Sequence, residues 1–156
     1  MRFAHFGDIH IRPFSRHEEY REAFQVFFDA HDLYEIDHII ITGDIVHEKT
    51  QRITPEIIDM LVWMFTNLAK IAPVHVILGN HDGNLANETR QDAISPIISA
   101  LDNPRISLYK KSGNYLLDQN FRLGVFSCFD EDNWGVVKGR SANPDDINIA
   151  LFVSVL

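Results

Sequence analysis

With 156 residues, 46 % of them hydrophobic and 23 % charged, the chain has the size and composition of one ordinary globular domain able to bury a substantial core. Its 14 Lys and Arg against 22 Asp and Glu leave a net charge of −8, which argues against a simple basic nucleic-acid binder. The same charge suits a protein that gathers divalent cations among its carboxylates, although a solvated acidic surface accounts for much of it. One cysteine, Cys128, excludes an intrachain disulfide. No apolar run reaches the ~18 residues of a membrane span. The N-terminus lacks a secretory apolar core, so a cytoplasmic protein with no membrane partner is expected.

The first predicted strand is "RFAHF", from Arg2 to Phe6. A helix follows in "SRHEEYREAFQVFFDAHDL", where Ser15 and Glu18 have the spacing of a capping box and Tyr20, Ala23, Phe24, Phe27 and Phe28 recur at helical period. "HIIIT", His38 to Thr42, is a continuous β-branched run, the mark of a parallel strand covered on both faces. The next helix takes Thr54 as N-cap and Pro55 at its first position, with Ile58, Leu61, Val62, Phe65 and Leu68 as its core stripe. "VHVIL", Val74 to Leu78, is a third buried strand, and a short helix runs from Ser95-Pro96 to about Leu101. This β-α-β-α-β order implies a largely parallel sheet. After Pro104, "ISLYK", "NYLLD", "FRLGVFSCF" and "INIALFVSVL" read as strands, separated by turn signals at Ser112-Gly113-Asn114 and Asp118-Gln119-Asn120. The expected fold is α/β, a parallel half followed by a more antiparallel β half, in one domain.

Each of the first three strands ends in a polar cluster: "GDIH" (Gly7 to His10), "GDIVH" (Gly43 to His47) and "GNHDGN" (Gly79 to Asn84). Ligands of open α/β folds collect beyond the carboxyl ends of the strands, so the three clusters are delivered to one rim. Asp8 and Asp44 offer anionic oxygens, His10 an imidazole nitrogen and Asn80 a carbonyl oxygen, a donor set for Mn²⁺, Zn²⁺ or Fe²⁺. Asp44, on the middle cluster, is placed to bridge two ions. Taken singly, each motif has a plainer reading: Asp-x-His recurs by chance, and Gly-Asp or Asn-His-Asp-Gly is often only a turn. Three successive turns have no common need for a metal-competent residue at the same point. His5, His17, His31, His38 and His75 read as structural or surface residues.

The series Asp-x-His, Gly-Asp and Gly-Asn-His-Asp, each after a strand, resembles the motif series of the calcineurin-like metallophosphoesterases. Within them, "HFGDIHI" and "GDIVHEKTQRITP" are most similar to the nuclease subunit of the Mre11/SbcD group, its phage versions included. His47, three residues after Asp44, and Pro55 further on fit that group's pattern. The resemblance is close over about residues 2–96 and rests on strand pattern beyond. It implies part of the metallophosphoesterase sandwich and a metal-dependent DNA exo- or endonuclease acting in recombination or repair.

The resemblance also implies roles. Asp8 and His10 would bind a first divalent ion, Asp44 would bridge, and Asn80 would bind a second; Mn²⁺ is the first choice, with Mg²⁺, Fe²⁺ or Zn²⁺ as alternatives. His81 would stabilise charge at the scissile phosphate and protonate the leaving oxygen, a task that suits an imidazole with its ordinary pKa of ~6.5. His47 would contact phosphate or orient the substrate, and water is the nucleophile. Asp82 would orient His81 or cap the turn. The implied partners are DNA, an SMC-like ATPase subunit of the Rad50/SbcC kind and a second copy of the chain in a homodimer. Arg12, Arg16, Arg21, Lys49 and Arg52, near the rim, would meet part of the phosphate charge.

The family completes its centre with later histidines, one after a further strand and then a Gly-His-x-His pair. Here the last of eight histidines is His81, and the sequence closes within the apolar run "INIALFVSVL". The expectation is therefore a phosphoesterase domain over 1–156 that is incomplete at its C-terminus, with a weakly held second ion and poor catalysis on its own. Two other readings stay open: a phosphoesterase for small or protein substrates, and a non-catalytic fragment that only packs against a partner.

Overall fold

The computed structural model describes residues 1–47, 53–87, 90–137, 143 and 145–153. Strands β1 (Phe3–Phe6), β2 (His38–Thr42), β3 (Val74–Ile77) and β4 (Ile106–Tyr109) form an all-parallel sheet in that order. Helices α1 (His17–Ala30), α2 (Pro55–Ile71) and α3 (Ser95–Leu101) provide the three crossovers. A second sheet holds β5 (Gly113–Asp118), β6 (Phe121–Phe126) and β7 (Ile147–Phe152), with β5 antiparallel and β7 parallel to β6. The expected α/β class holds, with two refinements. "ISLY" is the fourth parallel strand rather than the start of the β half, because α3 carries the chain back across the sheet before it. The second sheet is mixed, because the long connection from Phe126 to Ile147 lets β7 return in the same sense as β6. Residues 154–156, the end of the last expected strand, lie outside the described residues.

The parallel sheet is covered on both faces. One core joins Ile39, Ile41, Val74 and Val76 to Phe24 of α1, to Met60, Leu61, Met64, Phe65 and Leu68 of α2 and to Ile97 of α3. On the other face Ile40 and Ile77 meet Leu123, Val125, Leu151 and Val153 of the second sheet. Alternation along each strand sends neighbouring residues to opposite layers, and this explains the unbroken Ile39-Ile40-Ile41 run.

Two helix expectations are corrected. α1 has no Ser15–Glu18 capping box: its N-cap is Arg16, in the left-handed region at φ 66°, with no side-chain cap. Arg16 instead pairs with Glu19, and the His17 Nε2–H donates 2.6 Å back to the Arg12 carbonyl, so the loop is held from within. On α2, Thr54 caps as expected by accepting from the Ile57 N–H, with Pro55 opening the helix. Its buried face, however, is Ile57, Met60, Leu61, Met64, Phe65, Leu68 and Ala69, while Ile58 and Val62 are 41 % and 37 % exposed. The two methionines turn the apolar arc away from the β-branched residues.

Candidate metal centre

The carboxyl ends of β1, β2 and β3 come together because glycines let the backbones touch. Gly43 has φ +73°, and a Cβ there would run into the backbone of Gly79; a Cβ on Gly79 would in turn run into Asp44. No side chain fits at either position, so the loop after β2 lies directly on the loop after β3. Backbone bonds then zip the β1 and β2 loops together: the His10 N–H donates to the Asp44 carbonyl (2.9 Å), Ile11 to Ile45 (2.8 Å) and His47 to Ile11 (3.0 Å).

Asp8, His10 and Asp44 all sit in the left-handed region, at φ 51°, 53° and 50°. Asp and His tolerate that region better than most residues, yet three cases in two short loops mark strain held at a site. Their supports are visible. The Tyr20 hydroxyl donates 2.6 Å to the His10 carbonyl, and the His81 N–H donates 2.8 Å to Asp44 Oδ1.

Asp82, fully buried, is the fastener of the rim. Its Oδ1 accepts from the Ile45 and Val46 N–H groups at 2.8 and 3.0 Å, and its Oδ2 from Gly79 N–H at 2.9 Å. Burial pushes its carboxyl up to about 7, an effect that Asp44 reinforces and the three N–H donors oppose. The sequence leaves Asp82 between orienting His81 and capping the turn. It caps, across two loops; the partner of the His81 ring is the His47 carbonyl, which accepts from Nδ1–H at 2.6 Å. Because a carbonyl only accepts, Nδ1 carries the proton and Nε2 of the neutral ring keeps the lone pair.

Among the described residues, the tight group of candidate metal donors is His10, Asp44 and His81, whose ligand atoms lie within 4.8 Å of one another. Among the described residues His10 Nδ1 has no hydrogen-bond partner though buried, a costly state for a nitrogen that a cation would relieve. Burial, helped by the facing His81 ring and opposed by Asp44, pushes His10 below its ordinary range and keeps it in the neutral, ligating form. Two imidazoles and a carboxylate, with a buried nitrogen lacking any other partner, fit a divalent transition metal.

Asp8 is exposed and lines a cavity of about 490 Å³ together with Asp44, buried Asn80 and His81. The His47 ring stands 5.4 Å from His10 and 6.2 Å from His81, centre to centre. All six expected site residues thus border one rim. Three form the tight group, Asp8 and Asn80 border the cavity beside it, and His47 braces His81. Of the expected rim cations, Arg21 stacks over Trp63 at 4.7 Å and Arg16 is paired with Glu19; Lys49 and Arg52 lie outside the described residues. Cys128, beneath the rim, donates to the Leu78 carbonyl, and burial pushes its thiol up to about 12, so it holds no thiolate.

Residues 1–151 match the model of a family described as calcineurin-like phosphoesterase. The chain belongs to that family. This calcineurin-like phosphoesterase domain is 41 % identical over 162 aligned positions to the uncharacterized protein R555 of Acanthamoeba polyphaga mimivirus; the alignment covers 95 % of this chain and 12 % of that protein. The chain therefore spans about an eighth of that relative's length. Its backbone is also similar to that of the Pseudomonas putida nuclease MPE, at a TM-score of 0.49 and 18 % identity, over 94 % of this chain and 58 % of the nuclease. No helix among the described residues is long and apolar enough to cross a membrane.

Proposed function

We propose that this calcineurin-like phosphoesterase domain is a metal-dependent phosphodiesterase that cuts DNA, of the Mre11/SbcD kind. The observation that carries this reading is the convergence of His10, Asp44 and His81 beside Asp8 and Asn80 on one rim. A divalent metal, Mn²⁺ being the first choice, would supply Lewis-acid stabilisation of the charge that develops at the phosphate. Asp8, His10, Asp44 and Asn80 would hold it. His81, its Nδ1–H tied to the His47 carbonyl, turns Nε2 to the rim beside the metal rather than onto it, and with that nitrogen protonated it would donate to the leaving oxygen or to a phosphate oxygen. His47 positions that ring through its backbone and offers its own imidazole to the phosphate. The DNA specificity, the ATPase partner of the Rad50/SbcC kind and the homodimer rest on the motifs "HFGDIHI" and "GDIVHEKTQRITP".

The test is Mn²⁺ titration by calorimetry, followed by cleavage of a labelled single-stranded oligonucleotide at high protein concentration. The expected result is Mn²⁺ binding that Asp44→Ala abolishes, and slow Mn²⁺-dependent cleavage lost in Asp44→Ala and in His81→Ala. No Mn²⁺ binding at millimolar concentration would favour the non-catalytic reading and overturn this one.

A further inference from the structure

The turn after β3 brings Asn80 and His81 to the metal centre, and its continuation, Gly83 and Asn84, borders a second cleft of about 240 Å³. None of the residues lining this cleft lines the metal cavity. Its floor is fixed, because a Cβ on Gly83 would stand 2.6 Å from Phe129 Cζ, so the ring lies directly on the glycine. Its sides carry Arg90, Lys110 and Lys111. Three of the chain's 14 Lys and Arg thus meet at one small space in a molecule of net charge −8.

Two buried carboxylates hold the lysines in place without using them up. Asp92 Oδ1 accepts from the Ile94 and Ser95 N–H groups at 3.0 and 2.6 Å, and its Oδ2 from the Ser95 hydroxyl at 2.6 Å and the Lys110 ammonium at 2.8 Å. Asp130 Oδ1 accepts from Lys111 at 3.1 Å and Asn133 at 2.8 Å, and its Oδ2 from the Ser112 N–H at 2.7 Å. Each carboxylate is largely engaged by its own neighbourhood, while each ammonium gives it one of three N–H donors and keeps two. Arg90 is exposed and enters no ion pair among the described residues. The neighbouring hollow shares Lys111 and Phe129 but is lined by Asp130, Glu131 and Asp132, so an anion is repelled there and confined to the cleft. A guanidinium fork beside two point-charge ammoniums is the donor set for a phosphoryl group.

We propose that this cleft holds a second phosphate of the substrate strand, away from the scissile one, with Arg90, Lys110 and Lys111 as positioning residues. Two peptide units separate His81 from Gly83, so their Cα atoms lie within about 7.6 Å of each other. A nucleic-acid strand carries one phosphate for about every 3.4 Å of axis, which puts the cleft within a few phosphates of the metal centre. The proposal rests on the phosphodiesterase reading and narrows it. A small monoester has one phosphate and cannot fill both places; a polynucleotide can. The cleft also gives a chain of strongly negative net charge a local means of holding a polyanion.

The probe is a short fluorescent oligothymidylate, titrated with the full chain by anisotropy in EDTA, where no metal contributes and no cleavage occurs, over a series of salt concentrations. The wild type is expected to bind with a log K that falls linearly with log salt. Arg90→Gln and Lys111→Gln should each weaken binding and flatten that slope by about 0.7, the effect of one phosphate contact on a single strand. Arg90→Lys, which keeps the charge, should restore most of the slope; a purely structural Arg90 would not move it. No binding by the wild type, or an unchanged slope in both glutamine variants, would overturn the subsite while the phosphodiesterase reading, tested by Mn²⁺ titration, stands. Inorganic phosphate in calorimetry is the second arm. Phosphate bound as tightly as the oligonucleotide, and lost in Arg90→Gln, would make the cleft a site for free phosphate and overturn its assignment to the strand. Failure to bind Mn²⁺ would overturn the phosphodiesterase reading and the substrate role of the cleft with it. Arg90 is exposed, and a glutamine amide at position 111 can still donate to Asp130, so both variants keep the fold, which an unchanged melting temperature verifies.

Discussion

Asp44 owes its position to what its neighbours lack. Its left-handed backbone follows Gly43, its carboxylate takes the His81 N–H, and the space it occupies exists only because residue 79 has no side chain. Gly79→Ala is therefore expected to cost about 2 kcal/mol or more in urea unfolding, since the added methyl must push the β2 loop off the β3 loop. The same variant should lose Mn²⁺ binding in calorimetry even where it still folds, because Asp44 and His81 would separate. Wild-type stability and metal affinity in Gly79→Ala would show that the two loops do not depend on this contact. That Asp8, His10, Asp44, Asn80 and His81 meet at one rim was legible in the sequence, because they recur at one point after successive strands. Their supports were not. Asp82 reads as one more turn residue and Tyr20 as one more core aromatic, since the groups they satisfy are main-chain atoms of loops distant in sequence.

At the scale of elements, hydrophobic period and turn signals gave the existence and type of each strand and α-helix described, missed the 3-10 turn at Glu131–Val136, and went astray where two faces compete. α2 carries apolar residues on more than half its circumference, so a stripe through Ile58 and Val62 fits the period as well as one through Met60 and Met64. Contact with Ile39, Ile41, Val74 and Val76 of the sheet decides for the methionines. Met64→Ala is expected to destabilise by about 2–5 kcal/mol in denaturant unfolding, as deletion of a fully buried side chain does. Ile58→Ser, on the exposed side, should stay within about 0.5 kcal/mol. A reversed order of the two would mean that the helix is rotated from the face described. The start of α1 was misread for a related reason: the Ser15–Glu18 spacing is a local signal, and the Arg16–Glu19 pair and the His17–Arg12 contact offer the same backbone another solution.

The molecule as a whole is a parallel sheet between a helical layer and a second sheet, and the interface between the sheets contains a polar chain the sequence did not announce. His38 Nδ1 lies 3.0 Å from His75 Nε2, and His75 Nδ1 lies 2.9 Å from the Tyr109 hydroxyl. Each residue taken alone reads as a strand histidine or tyrosine; the register pairs His75 with Ile40 and Ser107, which puts His38 and Tyr109, two residues off, on its face as diagonal neighbours. Two neutral rings satisfy the chain, because the N···N contact needs one proton and one lone pair and the Tyr109 hydroxyl can donate or accept, whereas protonating both rings would set two N–H groups against each other. Burial lowers His75 from 6.5 to about 4, helped by His38, and burial likewise lowers His38 against the pull of Asp37 and Asp118. Between pH 6.5 and 4 the unfolded chain thus binds a proton at residue 75 that the folded chain refuses. Stability is full above the unfolded value and falls as the pH falls, by up to about 3 kcal/mol from this residue. Urea midpoints measured from pH 7.5 to 4.5 should show that loss. His75→Gln, which keeps a donor and an acceptor but does not titrate, should be less stable at pH 7.5 yet show a distinctly flatter slope below 6.5. Identical slopes in the two proteins would assign the acid sensitivity to the carboxylates and leave the inter-sheet histidines without a part in it.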